Sequence, residues 1–349
     1  MSASLIFKLP YEPALDGLRA LAVLSVMVFH ANPFAWTGGF LGVDLFFVLS
    51  GYLISSLLLK EYESTGRIDV KAFYIRRWWR LGPALLVLLA VYALVVFTQG
   101  ATLAAQGLDI ALTAAYVTNW TRAFEWRSPL DLGHTWSLAV EEQFYLIWPW
   151  LMWAVLRFLK SSRHVLAALI CMLFMSWAWR QNLQWQGASI NRLYNGLDTR
   201  VEALIAGSLL AVWQWPHKTQ WRQRSQYWAT CLLTVSFALL PVLMHETQWT
   251  DVWLYSYGMS GVALLGCVII WGLHIQQSNL WCAVLRWRPL VYLGQISYGL
   301  YLWHFPIDRA LMSQGLQGWT LVVISTMLTI AVASASYRWL EKPLLNATR

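Results

Sequence analysis

Apolar stretches follow one another along most of the chain, separated by short polar segments. Ten of these stretches are long enough, at about 1.5 Å of helix per residue, to cross roughly 30 Å of membrane hydrocarbon. They lie at residues 15–34, 40–59, 81–98, 137–159, 164–180, 197–215, 227–244, 253–275, 290–310 and 319–340. The pattern predicts an all-α polytopic membrane protein with about ten transmembrane helices.

An eleventh stretch, residues 103–120, is shorter and is interrupted by Gln106, Gly107 and Asp109. We expect a short re-entrant or interfacial helix there, because a further crossing would invert every later loop. With ten crossings and a cytoplasmic N-terminus, most of the 25 Lys and Arg residues lie in inner segments. Cytoplasmic loops carry such an excess of basic residues. The bias therefore predicts that both termini are cytoplasmic.

Composition excludes a soluble globular protein. Of the 349 residues, 58% are hydrophobic and 12% are charged, and no long polar stretch remains for a separate soluble domain. We expect one membrane-embedded domain over residues 1–349 with no appended soluble domain. The net charge of +8 is explained by basic cytoplasmic loops, so we expect no nucleic-acid partner. The four cysteines lack the spacing of a disulfide pair or a zinc site, and no metal is expected.

Ionisable side chains recur within the apolar stretches. Each costs about 2.5–3.5 kcal/mol on insertion scales, so each marks a candidate site. Arg19 and His30 are about 16 Å apart along the helix of the first span. The other polar candidates are Asp44 and Ser50 in the second span, Glu141, Glu142 and Tyr145 in the fourth, and His304 in the ninth. With the predicted orientation, each of these four spans places an ionisable group in the outer half of the membrane.

Three arginines begin the third span at its cytoplasmic end, in the sequence RRWWRLGP. Arg76, Arg77 and Arg80 are suited to phosphate groups, because guanidinium forms paired hydrogen bonds with phosphate oxygens. The alternative is that they only fix the topology and contact anionic lipid.

The chain resembles acyltransferase family 3, the membrane-bound acyl-CoA-dependent acyltransferases of cell-envelope sugars. The motifs that carry the resemblance occur in the family's order: LDGLRALAVLSVMVFH, GGFLGVDLFFVLSGYLI, RRWWRLGPA, TWSLAVEEQFYLIWP, YGLYLWHFP and the closing YRWLEKP. The resemblance implies a bacterial inner-membrane enzyme that takes acetyl-CoA or another acyl-CoA on the cytoplasmic side. It also implies an acceptor hydroxyl on an extracytoplasmic glycan or lipid-linked sugar. Some relatives carry an extracytoplasmic hydrolase-like domain, so a separate partner protein is a further expectation.

The resemblance makes His30 the central catalytic group. An imidazole with an ordinary pKa near 6.5 suits proton abstraction from a sugar hydroxyl at neutral pH. We expect Glu141 to orient the His30 ring, as the carboxylate does in a catalytic triad. Arg76, Arg77 and Arg80, together with Arg19, would hold the phosphates of coenzyme A at the mouth of a channel.

Several residues keep more than one interpretation. Tyr145, Trp136 and Ser137 are alternative donors to the thioester oxyanion. Asp44 is grouped with the catalytic residues, although capping of the second helix or pairing with a cation explains it equally well. Ser50 is better explained as a helix-packing residue than as a nucleophile. Glu142 and His304 are candidates for substrate contact or for support of the catalytic groups.

Two further alternatives concern function. Transfer to the acceptor is either direct, with His30 as base, or passes through an acyl-enzyme on His30 or Ser50. A transporter or flippase of a lipid-linked sugar would also line a cavity with intramembrane charges. Such a protein predicts inverted repeats, and the segment from Arg19 to His30 has no counterpart in the second half of the chain. We therefore favour the enzyme.

Overall fold

The computed structural model describes residues 9–98, 103–129, 131–159, 161–215, 226–275 and 279–347. Across these ranges every regular element is a helix, and the described residues form no strand. The predicted all-α class is confirmed.

Sixteen α-helices are defined within the described residues. The first eight are α1 (Pro13–Ala31), α2 (Gly42–Thr65), α3 (Val70–Thr98), α4 (Leu103–Ala114), α5 (Thr118–Ala123), α6 (Trp136–Phe158), α7 (Ser162–Trp185) and α8 (Ile190–Asn195). The next eight are α9 (Leu197–Gln214), α10 (Gln226–Glu246), α11 (Met259–Ile275), α12 (Leu280–Leu285), α13 (Arg288–Gln295), α14 (Ser297–Ser313), α15 (Gly318–Ser336) and α16 (Lys342–Ala347). Short π-helical segments at Leu254–Gly258 and Tyr337–Glu341 precede α11 and follow α15.

Seven helical segments of the described chain are long and apolar enough to cross a membrane. They are Pro13–Ala31, Gly39–Thr65, Val70–Thr98, Ser162–Trp185, Tyr227–Glu246, Leu254–Ile275 and Gly318–Asn346. The other three predicted spans coincide with α6, with α9 and with the pair α13 and α14, which is interrupted at Ile296. The structure therefore supports a multi-pass membrane protein, while ten crossings remain a prediction.

The interrupted stretch 103–120 is divided into two short helices. Helix α4 has 12 residues and so extends about 18 Å, well short of the hydrocarbon thickness. Tyr116 lies between α4 and α5 with a positive φ of 53°, a conformation that ends helical propagation. Asp109, one of the residues that break the apolar pattern, pairs with Arg127. This geometry supports the expectation that the segment does not cross by itself.

Helices α2 and α9 approach each other closely through glycine. A Cβ atom at Gly51 would collide with the Leu204 carbonyl, and one at Gly207 would collide with the Val48 carbonyl. Small residues of this kind let membrane helices pack backbone to backbone, where dispersion replaces the hydrophobic effect as the attractive force. The α2–α9 pair is thus in backbone-to-backbone contact at Gly51 and Gly207.

A buried ion pair ties the same two helices together. Arg200 of α9 donates to Asp44 of α2 at 3.0 Å, and their side chains are 1% and 2% exposed. The guanidinium also lies 5.1 Å from the ring centroid of Tyr194. The Asp44 carboxylate is engaged by Arg200 and lies outside the lining of the cavity described below, so its grouping with the catalytic residues stays a prediction that this geometry does not favour. Its pairing with a cation is the alternative that the structure supports.

A second buried pair, Arg180 with Glu202, joins α7 to α9. Arg180 also donates to the Tyr255 carbonyl at 2.7 Å. Arg200 and Glu202 are thus both members of buried ion pairs that connect α9 to its two neighbours, α2 and α7.

We predict that Asp44→Asn destabilises the protein. The variant leaves the Arg200 charge buried without its ion-pair partner, a change that costs about 3–5 kcal/mol in comparable pairs. The midpoint of thermal unfolding, measured on the purified protein in detergent, should fall clearly, and the double variant Asp44→Asn, Arg200→Met should recover part of the loss.

The matched control is Arg309→Gln, which removes an exposed ion pair with Asp131 and should change stability by less than about 1 kcal/mol. An Asp44→Asn protein that is as stable as the wild type but inactive would return Asp44 to the catalytic groups.

Candidate active site

A cavity of about 650 Å³ lies among α1, α2, α3, α6 and α14. At one end its lining comes from the beginnings of α1 and α3, and at the other from the beginnings of α2 and α6. Helices α1 and α2 are antiparallel neighbours, so these two ends face opposite sides of the bundle. Apolar side chains, including Phe46, Phe47 and Leu57, line the stretch between them.

Four arginines, here called the arginine group, meet at the first end. They are Arg19, Arg76, Arg77 and Arg80. Two have carboxylate neighbours: Arg19 lies 3.0 Å from Asp16, and Arg76 lies 3.6 Å from Glu61. The structure therefore brings together the four arginines for which the sequence predicts a shared phosphate site.

The remaining two arginines have unused hydrogen-bonding capacity. The Arg77 guanidinium lies 3.9 Å from the ring centroid of Tyr145, and its buried Nε has no hydrogen-bond partner among the described residues. Arg80 is exposed and forms no ion pair with any residue that the structure describes. These donors are available to an anionic ligand.

Farther along the cavity, Ser50 and Glu141 form a hydrogen-bonded pair. The Ser50 hydroxyl donates to Glu141 Oε1 at 2.6 Å. Tyr145 follows Glu141 by one turn of α6 and also lines the cavity. The hydrogen-bond partner of Glu141 in this structure is thus Ser50, so orientation of the His30 ring by Glu141 stays a prediction that this contact does not support. A carboxylate that can act as a base therefore lies within hydrogen-bond reach of the Ser50 hydroxyl. The interpretation of Ser50 as a packing residue did not predict this neighbour.

Three histidines, here called the histidine group, gather beyond the second end of the cavity. His30 Nδ1 lies 2.9 Å from His304 Nε2, and the two rings stack with centroids 5.1 Å apart. His134, in the 3-10 turn before α6, approaches His304 edge-on at 5.3 Å. The Phe305 ring packs on His30 at 4.9 Å. His304, a candidate for support of the catalytic groups, is therefore the direct partner of His30.

Sequence reasoning missed His134. The residue immediately precedes the motif TWSLAVEEQFYLIWP, and that position was its only signal. Its Nε2 lies 3.1 Å from the Leu302 carbonyl, while its buried Nδ1 has no hydrogen-bond partner in the described part of the chain.

A hydrogen-bonded pair separates the cavity from the histidine group. The hydroxyls of Ser137 and Tyr301 lie 2.6 Å apart, and the Tyr301 hydroxyl also donates to the His134 carbonyl at 2.9 Å. Both residues line the cavity, whereas His30 is absent from its lining. The expected open path from the arginine group to His30 is therefore closed by one layer of side chains in this conformation.

The remaining predicted residues differ in their access to the cavity. Ser137 and Tyr145 line it and stay candidates for oxyanion donors. Trp136 packs against Tyr194 at 4.7 Å in the aromatic shell around Arg200, away from the cavity lining. Glu142 lines a separate groove of about 370 Å³ beside Arg77 and Tyr145. Trp136 and Glu142 are consequently poor candidates for contact with a ligand in the main cavity.

This geometry combines a wall of arginines, a polar pair in a mostly apolar tunnel, and a stacked pair of imidazoles. A ligand with phosphates at one end and a reactive group at the other fits these surroundings, with the phosphates at the arginines and the reactive group toward the histidines.

Comparison with known proteins identifies relatives along nearly the whole chain. The family model described as "Acyltransferase domain", that of acyltransferase family 3, matches residues 12–338. A Bacillus subtilis (strain 168) protein named "Putative peptidoglycan O-acetyltransferase" is 36% identical over 351 residues, covering 96% of this chain and 55% of its own length. A Listeria monocytogenes protein named "Peptidoglycan O-acetyltransferase OatA" is 35% identical over 351 residues, covering 96% and 56%.

A Staphylococcus aureus (strain MSSA476) protein named "Putative O-acetyltransferase" is 37% identical over 354 residues, covering 96% of this chain and 58% of its own length. The chain thus spans a little over half the length of these curated relatives. No solved structure matches it. The match over residues 12–338, which includes the arginine group and the histidine group, shows that the chain belongs to acyltransferase family 3.

Proposed function

We propose that this protein is an integral membrane O-acyltransferase. It moves an acyl group, most simply acetyl, from acyl-CoA to a hydroxyl of an extracytoplasmic glycan or lipid-linked sugar. The observation that carries the proposal is the cavity that runs from the arginine group, past Ser50 and Glu141, to the wall next to His30. Family membership supports the enzyme over the transporter.

The donor enters from the cytoplasm in this proposal. With ten crossings and both termini inside, the beginnings of α1 and α3, and therefore the arginine group, face the cytoplasm. Coenzyme A is anionic at its nucleotide end and thin along its pantetheine arm. The arginine group binds the phosphates, and the apolar stretch past Phe46 and Phe47 accommodates the arm.

The acceptor approaches from the other face of a bacterial inner membrane. His30 lies near the C-terminal end of α1, the end opposite to the arginine group. The relatives from Bacillus and Listeria are named for peptidoglycan, so peptidoglycan is the first acceptor to test.

His30 acts as the general base. Its imidazole takes the proton of the acceptor hydroxyl while the hydroxyl oxygen attacks the thioester carbon. Collapse of the tetrahedral intermediate breaks the carbon–sulfur bond, and the imidazolium returns its proton to the sulfur, which leaves as the thiol of coenzyme A. Tyr145 and Ser137, which line the cavity, are the candidate donors to the oxyanion.

Direct transfer requires the Ser137–Tyr301 pair to open, because it separates the cavity from His30. The covalent route starts instead at Ser50, whose hydroxyl already donates to Glu141. Labelled acyl-protein trapped without acceptor identifies the covalent route, whereas release of coenzyme A only in the presence of acceptor identifies the direct one.

We predict that the purified protein in lipid nanodiscs releases coenzyme A from acetyl-CoA when a peptidoglycan acceptor is present. His30→Ala should lower this rate by about 100-fold to 10,000-fold, the usual contribution of a general base. Free thiol is the readout, and the exposed-pair variant Arg309→Gln serves as the control with wild-type activity. Movement of a sugar substrate with no release of coenzyme A would favour the transporter.

We also predict that the arginine group recognises the phosphates of the donor. Arg80→Gln should raise the KM for acetyl-CoA by about 10-fold or more, since a hydrogen bond to a charged group contributes about 1.5–3 kcal/mol. The KM for acetyl-pantetheine, which lacks the nucleotide phosphates, should stay unchanged.

Arg163→Gln is the matched control, because Arg163 is an exposed arginine at the start of α7 and outside the cavity. Equal losses with both donors would show that Arg80 supports the fold and does not bind phosphate.

A further inference from the structure

The hydrogen bonds of His304 determine which of its ring nitrogens carries the proton. His304 Nδ1 faces two backbone carbonyls of its own helix, that of Tyr301 at 2.7 Å and that of Leu300 at 3.2 Å. A carbonyl oxygen only accepts hydrogen bonds, so Nδ1 must donate. A neutral imidazole has one N–H group, and Nε2 of His304 is therefore an acceptor.

That assignment fixes the tautomer of His30. Nε2 of His304 lies 2.9 Å from Nδ1 of His30, so the His30 nitrogen must supply the proton of this hydrogen bond. The proton of neutral His30 then sits on Nδ1, and the lone pair sits on Nε2. Within the described ranges of the chain, Nε2 of His30 has no hydrogen-bond partner. The basic nitrogen is left for another molecule.

We propose that His304 is a positioning residue that holds His30 in the tautomer required of a general base. The inference rests on the proposed function, in which His30 accepts the proton of the acceptor hydroxyl. When Nε2 of His30 takes that proton, the imidazolium keeps its Nδ1–H bond to His304 Nε2. A neutral imidazole thus performs the task that a carboxylate performs in a catalytic triad.

The surroundings explain why the partner is a neutral group. The two carboxylates expected at this depth are engaged elsewhere, Glu141 by Ser50 and Asp44 by Arg200. His304 is fully buried, and the Phe305 ring packs against His30. A buried carboxylate would need full hydrogen bonding to offset its desolvation, whereas the imidazole of His304 is already satisfied by its own helix.

Arg122, in α5, holds the backbone beside the third histidine. Its guanidinium donates to Asn195 at 3.1 Å and to the Gly133 carbonyl at 3.2 Å. Because Gly133 immediately precedes His134 in the same 3-10 turn, this hydrogen bond restrains the turn that carries His134.

The first test measures the tautomer in the wild-type protein. The seven histidines are labelled with ¹⁵N, and long-range ¹H–¹⁵N spectra are recorded in nanodiscs, with His30→Ala used to assign the His30 signals. We expect protonated Nδ1 and bare Nε2 for His30, and the same state for His304. Protonation of His30 at Nε2 overturns the proposal, and this measurement requires neither a variant of His304 nor any activity.

The second test compares two amides at position 304. The amide of His304→Gln reaches the place of ring Nε2 and can accept from His30, whereas the amide of His304→Asn reaches only the place of Nδ1. We expect His304→Asn to lower kcat for coenzyme A release by about 100-fold or more, as loss of the tautomer-fixing group does in triads. His304→Gln should stay within about 10-fold of the wild type.

The KM for acetyl-CoA should not change in either variant, because His304 does not line the cavity. The control is His245→Gln, an exposed histidine far along the chain from these elements. Equal activity of the Asn and Gln variants overturns the positioning role. A wild-type protein that has the expected tautomer but releases no coenzyme A contradicts the proposed function and leaves the tautomer assignment intact.

Discussion

The structure depends on one constraint: polar side chains inside a membrane protein must find partners there. Arg200 meets Asp44, Ser50 meets Glu141, and His30 meets His304 across helices that are far apart in sequence. Each of these contacts fixes the rotation of one helix against another, because a partner on the wrong face would leave a buried group unsatisfied. The positions of the cavity and of the histidine group follow from that arrangement.

The same constraint divides the polar groups into two kinds. Pairs such as Arg200 with Asp44 are closed, with both side chains buried and facing each other. Arg77, Arg80 and the basic nitrogen of His30 are open, since they retain hydrogen-bonding capacity within the described part of the chain. Only open groups are available to a substrate, which is why we propose Arg77 as a site residue and assign Asp44 to the scaffold.

The sequence predicted well how deep each polar side chain lies along its helix. It predicted poorly which neighbouring helix that side chain faces. Hydropathy and the rise per residue located the long helices and separated Arg19 from His30 along α1. They carried no information on how each helix is rotated, so the partners of Asp44 and His304 were left open and the contact of Glu141 with Ser50 was not predicted. His134 was missed because it precedes a helix and belongs to no periodic pattern. The closing of the cavity by Tyr301 depends on a side-chain contact that appears only after packing.

In the proposed function, one cavity carries a donor from the arginine group to the wall beside the histidine group. A cryo-EM map of the protein with a thioether analogue of acetyl-CoA would show where the donor binds. We expect phosphate density among Arg76, Arg77 and Arg80, and the acyl end beside the pair of Ser137 and Tyr301. Density for the analogue outside this cavity, or with its acyl end at the arginine group, would overturn this role of the cavity.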